Sequence, residues 1–319
     1  MRRLSRVLLA SCALASHAAT AQPYPTKTVR IIVPFAAAGG SDIFARILAQ
    51  RFTDSFGQQF IVENRAGGNG NIGAEAVVKA APDGHTLLLT TNVLTTNPWL
   101  YRNMPFNVER DLAPITYAGS TPNLLVIHPS LPVKSVKELI TLARARPGEL
   151  TIAGSGTGTP SHLAGELFKQ TARVDLLIIQ YKGTGASLND LIGGQVAMSF
   201  GSLAGLVPYA KSGRLRALAV SSLKRAASLP DVPTVAETYP GFEVSTWYGL
   251  LAPAHTPRDI ITRVQQDTVK VLALPDVRTR LATLGFDLGG TTPAEFAALL
   301  RSDLARWQKV IREGGIKAE

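Results

Sequence analysis

Cysteine is almost absent. The 319-residue chain holds one, Cys12, and it lies in the N-terminal stretch that reads as a leader. A single cysteine excludes an internal disulfide framework and a multi-cysteine metal site. Charge is also sparse, at 18% of residues. The net balance is +10, yet its densest groups, such as Arg144 with Arg146 or Lys224 with Arg225, are short and dispersed. No basic run carries interleaved aromatics, so nucleic-acid binding is not expected. A mild positive field would instead help an anionic solute approach. Nowhere does the sequence reach the roughly 18 uninterrupted apolar residues of a membrane helix. Internal repeats and low-complexity linkers are missing too. Hydrophobic residues make up 45%, so stability must rest on a large packed core.

Several catalytic signatures are missing as well. No Gly-Lys-Ser/Thr follows the Gly154 segment, which rules out a Walker A loop. Its glycines run G-x-G-x-G, with Thr159 where a dinucleotide fingerprint needs glycine. There is no G-x-S-x-G nucleophile elbow. His85, His128, His162 and His255 are scattered without metal-ligand spacing. Ser161 and His162 are adjacent, but neighbours on a helix start point in different directions. Each histidine is therefore read as structural or surface-exposed, and no enzyme, metal or cofactor is expected.

The N-terminus supplies a compartment. Arg2, Arg3 and Arg6 precede a short apolar run, Val7 to Ala15, and Ala19-Thr20-Ala21 gives the small-x-small pattern of a signal-peptidase site. Residues 1–21 thus read as a cleavable signal peptide, with the mature chain starting at Gln22 in the periplasm. Leu9-Ala10-Ser11-Cys12 offers a competing lipoprotein box, and the Arg2-Arg3 pair a fragment of a twin-arginine signal. Loss of Arg2, Arg3 and Arg6 takes the net charge of +10 to +7 and leaves 298 of the 319 residues, enough for two domains.

Along that mature chain, short β-like runs alternate with helical periodicity. Val29–Val33, Phe60–Val62, Leu87–Leu89, Leu124–Ile127, Thr151–Ala153, Leu176–Ile179, Val196–Phe200 and Leu215–Val220 read as strands. Ile43, Phe44, Ile47, Leu48, Phe52 and Phe56 mark a helix that Gly57 ends, and Ser135-x-x-Glu138 opens another. Thr256-Pro257 and Thr292-Pro293 read as N-cap and first helical residue. Phe296, Leu299, Leu300, Trp307, Val310 and Ile311 form the inward stripe of the last helix. This order predicts an α/β fold with parallel sheets. With no linker between domains, the chain should cross between them near Ser120–Pro122 and Ser245–Leu251.

Three strand ends run into segments rich in Gly, Ser and Thr. They are Pro34–Asp42, Gly154–His162 and Tyr181–Ser187. A strand, a small-residue turn and a helix N-terminus together leave backbone N–H groups unpartnered and add the positive end of the helix dipole, which suits an anion. The plainer role is a turn with a cap: Ser41, Asp42 or Thr159 can serve its own helix. Three such corners in one chain favour ligand binding, because open α/β sheets bind ligands at the carboxyl ends of their strands.

The ordered blocks Tyr24-Pro25, Val29–Phe35, Gly39–Asp42, Ala45-Arg46, Val62-Glu63-Asn64-Arg65 with Gly67, Gly70, Asn71, Ile72, Gly73 and Ala74, then Ala81–Gly84, Ser161–Glu166, Tyr181–Gly183, Leu229–Thr234 and Trp247–Leu250 cover nearly the whole mature chain. In this order they resemble the periplasmic substrate-binding receptors of tripartite tricarboxylate transporters, the Bug family. The resemblance implies a two-lobed periplasmic-binding-protein fold, type II-like, that closes over its ligand like a flytrap. Lobe 1 would be 22–121 plus 247–319, and lobe 2 would be 122–246. It implies a monomeric receptor for a small anionic carboxylate, whether a dicarboxylate, a tricarboxylate, an acidic amino acid or an aromatic acid. The receptor would hand that ligand to membrane transporter subunits or, alternatively, present it to a membrane signalling partner. The carboxylate would be held by main-chain amides and small hydroxyls. Lobe 1 would offer Phe35, Ala38, Gly39, Gly40, Ser41 and Asp42, with Thr91 and Asn92. Lobe 2 would offer Ser155, Gly156, Thr157, Thr159, Ser161, Tyr181, Lys182, Gly183, Gly201 and Ser202. Arg46, though charged, is read as half of a structural ion pair. The chain departs from the family pattern at Ala38, where glycine is usual, with Gly40 in the following slot, and at Ala66 and Asn69.

Overall fold

The computed structural model of the chain describes residues 24–35, 37, 39–181 and 184–317. The predicted leader and three of the predicted site residues, Ala38, Lys182 and Gly183, lie outside the described residues. In chain order the elements are β1 (Val29–Val33), α1 (Gly40–Phe56), β2 (Phe60–Asn64), α2 (Asn71–Val78), β3 (Thr86–Thr91), α3 (Val93–Leu100), α4 (Val108–Asp111), β4 (Leu112–Ile127), α5 (Val136–Ala145) and β5 (Thr151–Gly154). They continue with α6 (Pro160–Ala172), β6 (Leu177–Gln180), α7 (Thr184–Ile192), β7 (Met198–Ser202), α8 (Leu203–Lys211), β8 (Arg216–Val220), β9 (Ser245–Pro253), α9 (Arg258–Ala273), α10 (Pro275–Thr283), β10 (Asp287–Leu288) and α11 (Pro293–Glu313). Among the described residues no helix is long and apolar enough to cross a membrane.

The strands run β2-β1-β3-β9-β4-β7-β5-β6, with β8 and β10 also paired to β4. Two parallel groups, β2-β1-β3 and β6-β5-β7, are joined by antiparallel strands. The expected parallel pairing is present in both groups, but the antiparallel strands between them make the whole arrangement mixed. The reason is β4, whose 16 residues the sequence reading cut at Pro122. Its first part pairs with β9, down to Pro122 opposite Ser245. Its last part pairs with β7, from Asn123 opposite Ser202. Proline donates no ladder hydrogen bond, and the register against β9 slips at Pro114/Thr116 and again at Tyr117/Gly119. Such irregularities bend a strand, so one strand can serve two half-sheets.

Each half-sheet has its own core. Ile31, Val33, Phe44, Leu48, Phe52 and Leu250 belong to one buried cluster, and Ile152, Phe168, Met198, Phe200 and Phe242 to another. Two helices reach into both halves. In α11, Phe296 and Leu300 pack with Leu88 and Leu251, while Trp307, Val310 and Ile311 pack with Ile152 and Phe200. In α3, Leu94 joins the first side and Leu100 the second.

The helix ends follow the expected chemistry with one exception. Gly57 takes a left-handed φ of 67° and donates to Thr53 O. Thr292 and Glu295 form a full capping box on α11. Thr256, however, does not cap α9: its hydroxyl donates to Pro253 O at 2.8 Å, and the cap position falls on Pro257. The turn after β9 claims the hydroxyl first.

Gly249 shows how tightly α11 is seated. A Cβ there would overlap the ring of Phe296, which is fully buried. Gly249→Ala should cost roughly 1–3 kcal/mol by overpacking, read as a lower denaturation midpoint. Adding Phe296→Leu should recover part of the loss. An unchanged midpoint in Gly249→Ala would show that α11 is loosely docked.

Candidate functional site

The C-terminal ends of β1, β3, β5, β6 and β7 each lead into a helix N-terminus, those of α1, α3, α6, α7 and α8. Each terminus contributes unpartnered N–H groups and partial positive charge. The described residues of the predicted set sit at these ends, and α3 touches both the first loop region, through Val93, and the β5–α6 loop, through Leu100 and Thr96.

On the first half-sheet, Asn64 Nδ2 donates to Phe35 O at 3.1 Å and fixes the end of β1. The Phe35 ring and Val93, the first residue of α3, flank Gly70, whose left-handed φ of 92° disfavours a side chain. Gly39 is the N-cap of α1 and supplies no side-chain cap. Ser41 and Asp42 are buried. The Asp42 carboxylate accepts from Arg46 Nε at 2.9 Å, which raises the Arg46 pKa, chiefly through that hydrogen bond. Arg46 also reaches Asn64 Oδ1 at 3.3 Å. Its charge is matched locally, in keeping with the structural role expected of it. Tyr248 Oη lies 2.8 Å from where a Gly40 Cβ would stand and 3.5 Å from Thr121 Oγ1 on β4. Thr121 precedes the Pro122–Asn123 step, and Asn123 is paired with Ser202 and Leu124 with Gly201. The start of α1 and the end of β7 thus meet around the middle of β4.

On the second half-sheet, the loop between β5 and α6 is held by its own neighbours. Thr159 Oγ1 donates to Gly156 O at 2.7 Å, lies 3.1 Å from Ser155 Oγ and accepts from His162 N. Gln180, which the sequence did not single out, and His162, read there as structural or surface-exposed, complete the clamp. Gln180 Oε1 accepts from Gly156 N at 3.2 Å, and His162 Nδ1 accepts from Gly158 N at 3.0 Å. Both take N–H groups that an anion could otherwise use. The signal was present but weak: Gln180 is a polar residue closing an apolar strand, and His162 lies four residues beyond Gly158. Gly158 itself must be glycine, since a Cβ would overlap Leu100 of α3. Thr96 Oγ1 approaches Gly158 O at 3.5 Å. The Tyr181 hydroxyl donates to Asp190 Oδ2 at 2.8 Å; desolvation first, then that bond, push its pKa up to about 12.

Two buried side-chain atoms among the predicted set have no partner. Asn92, 1% exposed, donates from Nδ2 to Ser245 O at 3.4 Å but leaves Oδ1 unsatisfied. Ser161, 5% exposed and in the first turn of α6, leaves Oγ unsatisfied. A buried polar atom without a partner costs roughly 1–3 kcal/mol, and a ligand is one way to recover it.

Residues 44–316 match the tripartite tricarboxylate transporter family receptor. The chain belongs to that family. BugT of Bordetella pertussis (strain Tohama I) is 37% identical, over 99% of this chain and 99% of its own length. A structure of an R. palustris protein with adipate superposes with a TM-score of 0.81 at 36% identity, covering 92% of this chain and 99% of that one. MatC from Rhodopseudomonas palustris with bound malate gives 0.76 at 31% identity, covering 90% and 100%. The two-lobed periplasmic-binding-protein architecture expected from the sequence is therefore the fold of this receptor-family chain.

His162 carries a pH signature. Burial first, and the Lys169 charge second, push its imidazole down to about 4. An unfolded histidine titrates near 6.5. Below that value the unfolded chain binds a proton that the folded protein refuses, so stability falls as pH drops from about 6.5 towards 4 and levels off beneath. Glu166, whose carboxyl is raised by burial, works in the opposite direction. His162→Asn keeps an acceptor for Gly158 N and removes the titration. Between about pH 7 and pH 4.5 the wild type should lose on the order of 2 kcal/mol more than this variant in urea denaturation. Equal losses would mean that His162 is not held neutral.

Proposed function

We propose that this chain is a periplasmic receptor, exported by a cleavable signal peptide, that captures a small organic acid between two lobes. It passes the acid to the membrane subunits of a tripartite tricarboxylate-type transporter. The lobes are 22–121 with 247–319, and 122–246, and they close on the ligand by bending at β4 and β9. The observation that carries this reading is the convergence of helix N-termini on strand ends, with Asn92 Oδ1 and Ser161 Oγ buried and unpartnered beside them. The ligand carboxylate is received by amides and hydroxyls rather than by a catalytic pair, so the chain binds and does not turn over its solute. The adipate and malate held by two structural relatives make linear and hydroxylated dicarboxylates the first compounds to try.

Thermal-shift and calorimetric titration of ligand-stripped protein with adipate, malate, citrate, glutamate and benzoate tests the reading. At least one acid should raise the melting temperature in a concentration-dependent way. No shift with any of them would overturn it. With the acid that binds, Ser161→Ala and Thr157→Ala should each weaken affinity by roughly 0.5–2 kcal/mol. Gly156→Val should do more, because Gly156 has a φ of 122° that a side chain resists.

A further inference from the structure

Asp303 is a half-buried carboxylate that the ligand site does not use. It lies in α11 between Leu300, which packs with the first half-sheet, and Trp307, which packs with the second. Its Oδ2 accepts from Trp247 Nε1 at 2.6 Å and is 3.4 Å from Thr95 Oγ1. Trp247 is on β9, two residues beyond the Ser245 that faces Pro122. Thr95 is in the first turn of α3, and its hydroxyl also donates to Asn92 O at 2.9 Å. One carboxylate oxygen of α11 therefore touches both the crossing strand β9 and α3, the helix whose N-cap is Asn92. Desolvation raises the Asp303 pKa, against the pull of the Trp247 hydrogen bond and the Arg306 charge.

Arg306, one turn on, grips the same segment from its other side. Its guanidinium donates to Glu243 O and lies 5.0 Å from the centre of the Trp307 ring. Glu243 and Trp247 bracket Ser245, so α11 holds the approach to β9 at two points on either side of the strand's change of partners. Beneath these contacts is a cavity of about 280 Å³, bounded by Tyr117 and Ser120 of β4, Ser245 and Trp247 of β9, and Asp303 and Arg306 of α11. A tightly packed joint resists bending. An open volume under two polar ties leaves the strands room to move while the ties set where they rest.

We propose that Asp303, with Arg306, is a positioning residue of the joint: through Trp247 and Thr95 it sets the angle between the two half-sheets and holds Asn92 in place. This rests on the two-lobed receptor reading for its purpose but not for its measurement. The mature chain has no cysteine of its own once residues 1–21 are removed. Paired cysteines at Gln50 on α1 and Lys137 on α5, both exposed, can therefore carry spin labels for pulsed dipolar distance measurement in ligand-free protein.

Asp303→Ala and Trp247→Phe should each shift or broaden the interlabel distance distribution relative to the parent. The double variant should go no further than Asp303→Ala, because Asp303→Ala already removes the hydrogen bond that Trp247→Phe loses. Trp247→Phe removes the N–H with the outer part of the indole but keeps an aromatic ring facing Phe296, whose centroid lies 5.5 Å from that of Trp247, so it stands in if Asp303→Ala does not fold. A role confined to stability would lower the melting temperature and leave the distances alone. Distributions superimposable on the parent in Trp247→Phe would overturn the proposal. The labels need no ligand, so a failure to bind any organic acid would sink the receptor reading without touching this result.

Discussion

The pairing of Pro122 with Ser245 is the constraint on which the rest of the molecule depends. One residue further along, β4 leaves β9 and takes β7 as its neighbour. A strand that changes partners cannot keep a flat ladder, because each half-sheet twists about its own axis. Proline at the change removes a donor that neither neighbour could satisfy well. The two halves are consequently free to build separate cores while remaining one hydrogen-bonded system. The same joint links both sets of parallel strands, whose carboxyl ends lead into helix N-termini.

That geometry explains why much of the local structure at the strand ends was legible in the sequence. Glycine and small hydroxylated residues after an apolar strand are a local signal, written within about ten residues, and the loops at Gly39–Asp42 and Ser155–Ser161 stand where that signal put them. Gly57 and the Thr292–Glu295 box were readable for the same reason. What the sequence concealed was non-local. Nothing near Leu112–Ile127 announces that its two ends serve different sheets, and the apolar run after Pro122 looks like an independent strand. The stripe of α11 was evident, but periodicity says only that a face is buried. It does not say that Phe296 and Trp307 enter different cores. The partners of His162 and Gln180 were not legible because a lone polar residue near a turn has no periodicity to betray them. Only the fold shows which backbone N–H it meets.

These two clamps also narrow what the loop can offer. With Gly156 N given to Gln180 and Gly158 N given to His162, the β5–α6 loop is a prearranged shape rather than an open set of amides. Preorganisation lowers the ordering cost of binding. On the receptor reading, the work of anchoring then falls to the first turns of α1, α3 and α6, and to hydroxyls such as Ser161 Oγ that have no competing partner. Rigidity in the loop and availability at the helix start are two sides of one arrangement.

Charge completes the reasoning. Arg46, in α1 just after the predicted first loop, is paired with Asp42 and tied to Asn64, so its field there is largely cancelled. An anion would meet dipoles instead. Each helix terminus offers the equivalent of about half a charge, worth roughly 0.3–1 kcal/mol where exposed and up to about 2 where partly buried. Several such terms suffice for capture, whereas a buried guanidinium pair would add a desolvation cost on binding and a large barrier to release. Amides and hydroxyls also recognise any carboxylate alike. On the receptor reading, discrimination among acids must then come from the far end of the ligand and from how far the joint at Pro122 and Ser245 allows the halves to approach. The stiffness of that joint, set by Trp247 and the helix above it, becomes part of specificity rather than a neutral hinge.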